Sequence, residues 1–350
     1  TTYMRESKRL KKINLKYKKD YSFLRLTIDE PLDLKVIKDI LKNFTNIYNF
    51  GIDELIQLYK KNKSLFKPNM RVKRNEGQHM NTGQKLWKRA KQIIPGGTML
   101  FSKNPDLFLP DKWPAYFSKT KGCKVWDLDG KSYNDISYMG VGTNTLGYNF
   151  KKVEEKVIEA VKNGTMSTLN CQEEILLAEK IIEIHPWADM AKFTRSGGEA
   201  NAVAIRIARA ASGRDKVAVC GYHGWHDWYL SANIRNRKNL DELLMKNVPI
   251  KGVPKNLSGT IFPFEYNNFE SLKKITDNYK IGTIKMEVKR NHDPKNKFLE
   301  KVRKLATEKS IILIFDECTS GFREAYGGLH KIYNICPDMA IFGKALGNGY

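Results

Sequence analysis

From residue 150 onward the chain alternates between strand-length apolar runs and segments whose apolar residues recur at helical spacing. This alternation restricts the fold more than any other feature. Helical patterns cover residues 150–162, 172–184, 199–211 and 296–309, and strand patterns cover 191–195, 216–220, 281–287, 311–315 and 339–342. Short uninterrupted apolar runs between helices fit strands that are covered on both faces. The pattern predicts an α/β layer: a mostly parallel sheet, right-handed crossovers and helices on both faces. Sheets of this kind bind ligands beyond the carboxyl ends of their strands, so chemistry is expected there.

The N-terminal part is patterned differently. Residues 21–28 read as a strand, and Pro31 opens an amphipathic helix with Leu34, Ile37, Ile40 and Leu41 at helical spacing. A second short helix follows at 52–59, and the polar, basic stretch 67–83 reads as a linker. Residues 84–94 form a helix stopped by Pro95-Gly96-Gly97, and 124–128 with 131–137 form a hairpin around Asp129-Gly130. Two parts are therefore expected: a small α+β segment with its linker at 1–75, and the α/β body at 84–350.

Composition excludes several classes. The longest apolar run is far short of the ~18 residues a membrane helix needs, so no membrane span is expected. Five cysteines with no C-x-x-C pair give neither a disulfide framework nor a zinc ribbon, and point to a reducing, cytoplasmic setting. The net charge of +23 would suit nucleic acid, and about half of it falls in the first 75 residues. Aromatic residues are not interleaved there as base stacking requires, so a solvated basic surface is expected and no nucleic-acid partner. The N-terminus shows neither an initiator Met nor an apolar signal segment, and the chain reads as one entered partway through.

Four strand-end features carry chemistry. Arg195-Ser196-Gly197-Gly198-Glu199 leads a strand pattern through two glycines into a helix, an arrangement that seats a phosphate; alone, it also fits an ordinary glycine turn. Asp316 directly follows a buried run, where a carboxylate needs a cation or a donor. Lys344 stands between glycines after another apolar run. Tyr222-His223-Gly224-Trp225-His226-Asp227 follows a fourth, and its two histidines lack the further ligands a metal site needs. The chain has no P-loop, and Gly140-Val141-Gly142 lacks the dinucleotide spacing. Together the four suit pyridoxal phosphate: an anion seat at Gly197 and Gly198, an amine at Lys344, a carboxylate for the ring nitrogen at Asp316, and a flat side chain at Tyr222.

On these motifs, residues 84–350 resemble the class III aminotransferases of the fold-type I pyridoxal-phosphate family. Within that family they are most similar to the glutamate-1-semialdehyde 2,1-aminomutases. The motifs are Ser196-Gly197-Gly198-Glu199-Ala200, Tyr222-His223-Gly224, Phe315-Asp316-Glu317 through Gly321-Phe322-Arg323, and Gly343-Lys344-Ala345-Leu346-Gly347. The resemblance implies that Lys344 carries the Schiff base and Asp316 pairs with the ring nitrogen. Ser196, Gly197, Gly198, Tyr222 and His223 would line the cofactor. It also implies a homodimer acting on small amino, keto or semialdehyde substrates through a quinonoid. A sugar or amino-acid transaminase in surface-polysaccharide biosynthesis, or a basic binding protein that keeps the fold without catalysis, are the other readings. Gly198 stands where the family usually has Ser or Thr, and Glu287-Val288 replaces the usual Glu-Pro. The family's sequence continues beyond Lys344 with more sheet and a small domain, so the body is expected to be incomplete at its C-terminal end.

Residues 20–72 resemble the C-terminal end of nucleotide-sugar cytidylyltransferases of the spore-coat-polysaccharide and CMP-sugar type, through Leu24-Arg25-Leu26-Thr27-Ile28-Asp29-Glu30-Pro31 and the helix after it. That resemblance implies a Mg²⁺ contact for Asp29 in a segment without its nucleotide-binding half.

Overall fold

Val217, Val219, Ile314 and Ile341 point to one face of a parallel sheet, and Ala218, Cys220, Leu313 and Phe315 to the other. This alternation along each strand is what builds the body of the protein. The computed structural model describes residues 17–28, 31–70, 81–241, 243 and 249–350. The chain forms two compact units, residues 1–116 and 117–350.

In the first unit, α1 (Pro31–Leu41), α2 (Ile52–Lys61) and α3 (Lys63–Met70) enclose a small core of Leu24, Val36, Ile40, Leu55 and Phe66. Proline at the first position of α1 costs nothing, because its missing N–H would have had no intrahelical partner. Arg25 and Asp33 form a buried two-point ion pair, 2.8 Å on each side. Asn69 closes it by donating to Asp33 Oδ1 (2.9 Å) and to the Arg25 carbonyl (3.1 Å). Residues 21–28 are not a strand: the chain turns at Tyr21 (Leu24 N–H to Tyr21 O, 2.9 Å), and no strand lies beside it among the described residues. Part of the expected linker is helical in α3, and Asp29 lies outside the described residues. α4 (Thr82–Ile93) is capped by Asn81, which accepts from Gln84 N–H at 2.7 Å.

In the second unit, β1 (Phe117–Lys121), β2 (Lys124–Asp127) and β3 (Ser132–Asn134) form an antiparallel sheet that contains the expected hairpin. After α5 (Lys151–Asn163), α6 (Gln172–Ile184) and α7 (Gly197–Ser212) comes the parallel sheet. Its strands are β4 (Lys216–Cys220), β5 (Ile261–Pro263), β6 (Ile281–Met286), β7 (Ile312–Asp316) and β8 (Met339–Ile341), in the order β5-β4-β6-β7-β8. Ala204, Ile205 and Ala208 of α7 cover one face. α8 (Phe269–Asn278) and α9 (Phe298–Glu308) cover the other through Leu272, Leu299, Val302 and Ala306. Each such side chain adds about 1.5–3 kcal/mol when it is large and fully buried. Residues 191–195 are not a strand, since no neighbour among the described residues supplies a ladder. Among the described residues, no helix is long and apolar enough to cross a membrane.

Candidate active site

The candidate side chains leave the sheet at one end. β4 runs into Gly221-Tyr222-His223, β7 ends on Asp316, and β8 leads through Phe342 and Gly343 to Lys344. β7 and β8 are parallel and Asp316 pairs with Ile341, so Asp316 and Lys344 emerge from neighbouring strands at the same edge. Lys344 has left-handed backbone (φ 45°), which side-chain-bearing residues seldom adopt. Its Nζ donates to Thr319 Oγ1 at 3.0 Å.

Asp316 is buried and held on several sides. Its Oδ2 accepts from His223 Nδ1–H at 2.8 Å and lies 3.8 Å from Lys285 Nζ, while Oδ1 accepts from Cys318 N–H at 3.1 Å. Burial alone would push this carboxyl up. The Lys285 charge and the His223 hydrogen bond outweigh burial and hold it well below the usual carboxylate range. Burial pushes the His223 imidazole toward its neutral form, although the bond to Asp316 opposes this. His223 Nε2 lies 3.2 Å from the Cys220 carbonyl.

The segment after Asp316 is fixed by Glu317, whose carboxylate accepts from Ser320 Oγ (2.9 Å), Leu329 N–H (2.6 Å) and both the backbone N–H and Nδ1 of His330 (3.0 and 2.6 Å). Tyr222 is half-buried, and burial raises its hydroxyl. Its backbone N–H donates to Glu287 Oε2 at 3.1 Å, and Glu287 Oε1 accepts from Arg290 Nε and Nη2 at 3.0 and 2.7 Å. Glu287, which lacks the family's following proline, therefore positions Tyr222. Sequence reasoning gave it no such role.

The first turn of α7 is organised by a capping box. Ser196 Oγ accepts from Glu199 N–H at 3.3 Å, and Glu199 Oε2 accepts from the N–H groups of Ser196 (3.1 Å) and Arg195 (2.9 Å). The Gly197 and Gly198 N–H groups, next in line, have no intrahelical acceptor, and the helix dipole adds partial positive charge there. A Cβ on Gly198 would lie 2.7 Å from the His226 ring, and one on Gly224 would lie 3.1 Å from the Gly198 Cα. His226 Nδ1 is buried without a hydrogen-bond partner. Free N–H groups, glycine backbone and an orphaned ring nitrogen together fit a phosphate. Cys318 Sγ lies 3.1 Å from where a Cβ on Gly197 or on Gly343 would sit, between the anion seat and the lysine segment. A second loop closes onto the lysine segment: buried Asn348 accepts from Leu146 N–H (3.0 Å) and donates to the Gly147 carbonyl (3.2 Å), and Arg323 donates to the Gly142 carbonyl (2.6 Å).

His223 turns to Asp316 and His226 to Gly198, so the two histidines do not share a ligand. Among the described residues no group of three His, Cys, Asp or Glu side chains could hold a metal. The residues fit pyridoxal phosphate instead: an anion seat, an amine, an ionised buried carboxylate and a flat aromatic ring converge at the strand ends. Sequence reasoning missed Cys318, the placing of His226 and, above all, Lys285.

A parallel sheet with this constellation at its carboxyl end is the large-domain fold of fold-type I pyridoxal-phosphate transaminases. The FumI protein of Sphingopyxis sp. MTA144, solved in a pyridoxal-phosphate form, superimposes with a TM-score of 0.64 at 26% identity over 77% of this chain and 63% of that one. The family profile described as Aminotransferase class-III matches residues 110–350, and the chain belongs to that family. It is 35% identical to the 3-aminobutyryl-CoA aminotransferase of Cloacimonas acidaminovorans, over 76% of this chain and 62% of that protein. It is 34% identical to the glutamate-1-semialdehyde 2,1-aminomutase of Methanobrevibacter smithii, over 75% of this chain and 61% of that protein. The chain thus spans less than two thirds of the length of these relatives. Pyridoxal phosphate is the cofactor of the family.

Proposed function

We propose that this chain carries the cofactor-binding body of an aminotransferase or aminomutase, with Lys344 as the Schiff-base lysine. The observation that carries the proposal is the pairing of Asp316 with Ile341, which brings the carboxylate and the amine to one edge of the sheet. Bound there, pyridoxal phosphate supplies an aldehyde for an amine and a ring that takes up the electron pair released at the substrate carbon. The backbone N–H groups of Gly197 and Gly198 hold its phosphate, with the Ser196–Glu199 box fixing their direction. Tyr222 would cover one face of the ring. Asp316, which its neighbours keep ionised in the cofactor-free protein, would hold a proton on the ring nitrogen, and His223 fixes the carboxylate's orientation. The Lys344 amine would hold and move a proton at the substrate carbon.

The substrate is a small amino or keto compound. The relatives support a semialdehyde aminomutase or a transaminase, and a requirement for an external keto acid distinguishes the second from the first. The likeness of residues 20–72 to cytidylyltransferases supports a role near amino-sugar or surface-polysaccharide chemistry, and the family supports a cytoplasmic homodimer. The test is to add pyridoxal phosphate, reduce with borohydride and map the labelled peptide. Label on Lys344 is expected. A folded protein that takes no label is a non-catalytic relative.

A further inference from the structure

β6 is the central strand of the parallel sheet and is buried along its whole length. On its α7 face, Lys285 pairs in register with Val219 of β4 and Ile314 of β7, both fully buried in the apolar cluster. Lys285 itself is fully buried, and its Nζ has no hydrogen-bond partner. Its ion pair is with Asp316 Oδ2 at 3.8 Å, too long for a hydrogen bond of normal geometry. An aliphatic side chain would fill this position without the cost of desolvating an ammonium. A lysine here makes sense only in relation to the anion it faces.

That anion is also the group that holds the ring nitrogen in the reading given above, on which this inference rests. We propose that Lys285 is the counter-ion of Asp316 in the cofactor-free protein, and that it gives up its proton when the protonated ring nitrogen takes its place. One buried carboxylate balances one cation. A second cation would leave net positive charge in a water-poor site, and a lysine amine is the partner able to leave as a neutral group. The other titratable groups facing Lys285 do not change this balance. Cys318 follows Asp316 and its thiol is pushed up by burial, to about 11. His223, beyond the end of β4, is pushed toward neutral, and Glu287 at the end of β6 is engaged by Arg290. α7 covers the strand with Ala204, Ile205 and Ala208. Before binding, the site holds an ammonium and a carboxylate. Afterwards it holds an amine, a carboxylate and a protonated ring nitrogen, and the Lys285 proton has passed to solvent. Lys285 acts through Asp316 and is thus a positioning residue.

The test is calorimetric titration with pyridoxal phosphate in buffers of different ionisation enthalpy, on the wild type and on Lys285→Met. Binding to the wild type is expected to release about one more proton per cofactor than binding to the variant. Its affinity should gain up to about tenfold per pH unit relative to the variant's. Equal proton counts, in two proteins that both give the borohydride adduct on Lys344, overturn the proposal. If neither gives the adduct, the cofactor reading fails and this inference falls with it. Lys285→Gln serves where Lys285→Met does not fold. ¹⁵N-lysine NMR of the wild type with and without cofactor reads the charge on Lys285 directly: an ammonium that persists in the bound form also overturns the proposal.

Discussion

His223 reaches across the sheet from the end of β4 to the end of β7, where its Nδ1–H meets Asp316 Oδ2 at 2.8 Å; β6 and its buried Lys285 lie between the two strands. Two side chains, one from beyond the end of β4 and one from β6, thus set the charge of one carboxylate on β7. The imidazole fixes the direction of that carboxylate, and the ammonium keeps it ionised.

Replacing this carboxylate with its amide tests both contributions. Asp316→Asn keeps the shape and an acceptor for His223, but has no charge to hold a protonated ring nitrogen. On the role proposed for Asp316, turnover of the complete enzyme is expected to fall by about 10²–10⁴, the range found when a group that controls proton transfer is lost. The variant also strands the Lys285 charge, at a cost of up to about 3–5 kcal/mol. Denaturant unfolding should show this loss. Adding Lys285→Met should recover most of the stability and none of the turnover.

The anion seat makes a different demand. The family's usual hydroxyl residue has no room at Gly198, because its Cβ would fall 2.7 Å from the His226 ring. Gly198→Ser is expected to displace His226, at the ~1–3 kcal/mol of stability typical of overpacking, and to weaken cofactor binding. A cofactor titration of the variant measures this. If Gly198→Ser binds as tightly as the wild type, His226 is not part of a close-packed seat.

In the first unit, the Arg25–Asp33 pair is buried and closed by Asn69. Asp33→Ala removes a two-point buried anion from the guanidinium and the acceptor of Asn69, and should destabilise the unit by up to about 3–5 kcal/mol. Substituting both partners with apolar residues of similar size should cost much less. Hydrogen exchange of the α1 and α2 amides follows the change in this unit alone.

The sequence made the central strands legible for a physical reason. Sheet strands covered by helices are mostly apolar, so β4, β6, β7 and β8 could be read off with ends accurate to a residue or so. Asp316, Tyr222, His223 and Lys344 were then found as the first polar or aromatic residues beyond such runs. β1 was missed because Phe117–Lys121 is largely exposed and polar, and β5 because it is only three residues long and ends on a proline. Residues 191–195 have a strand's sequence, but a strand exists only where a partner ladder does, and a local pattern cannot show the partner. Lys285 was given no role from the sequence. A lone lysine at the centre of a doubly covered strand was the available signal, and it needed the position of Asp316 to become meaningful.

The burial of Lys285 also predicts how stability varies with pH. Burial lowers its pKa in the folded protein, and Asp316 only partly restores it. Above that lowered value and below about 10.4, where an exposed lysine titrates, the unfolded chain binds the proton and the folded protein does not. The unfolding free energy therefore rises with pH through this alkaline window, and the cost of burying the charge is fully present below it. The thiols of Cys318 and Cys220, raised by burial, act in the opposite direction over part of the same range, and the Lys285 charge holds the Cys318 thiol down. Unfolding of cofactor-free wild type and Lys285→Met across neutral to alkaline pH reads the lysine together with its coupling to Cys318. The wild type should gain stability relative to the variant as pH rises toward 10, and parallel curves would show that Lys285 titrates as an ordinary exposed lysine does.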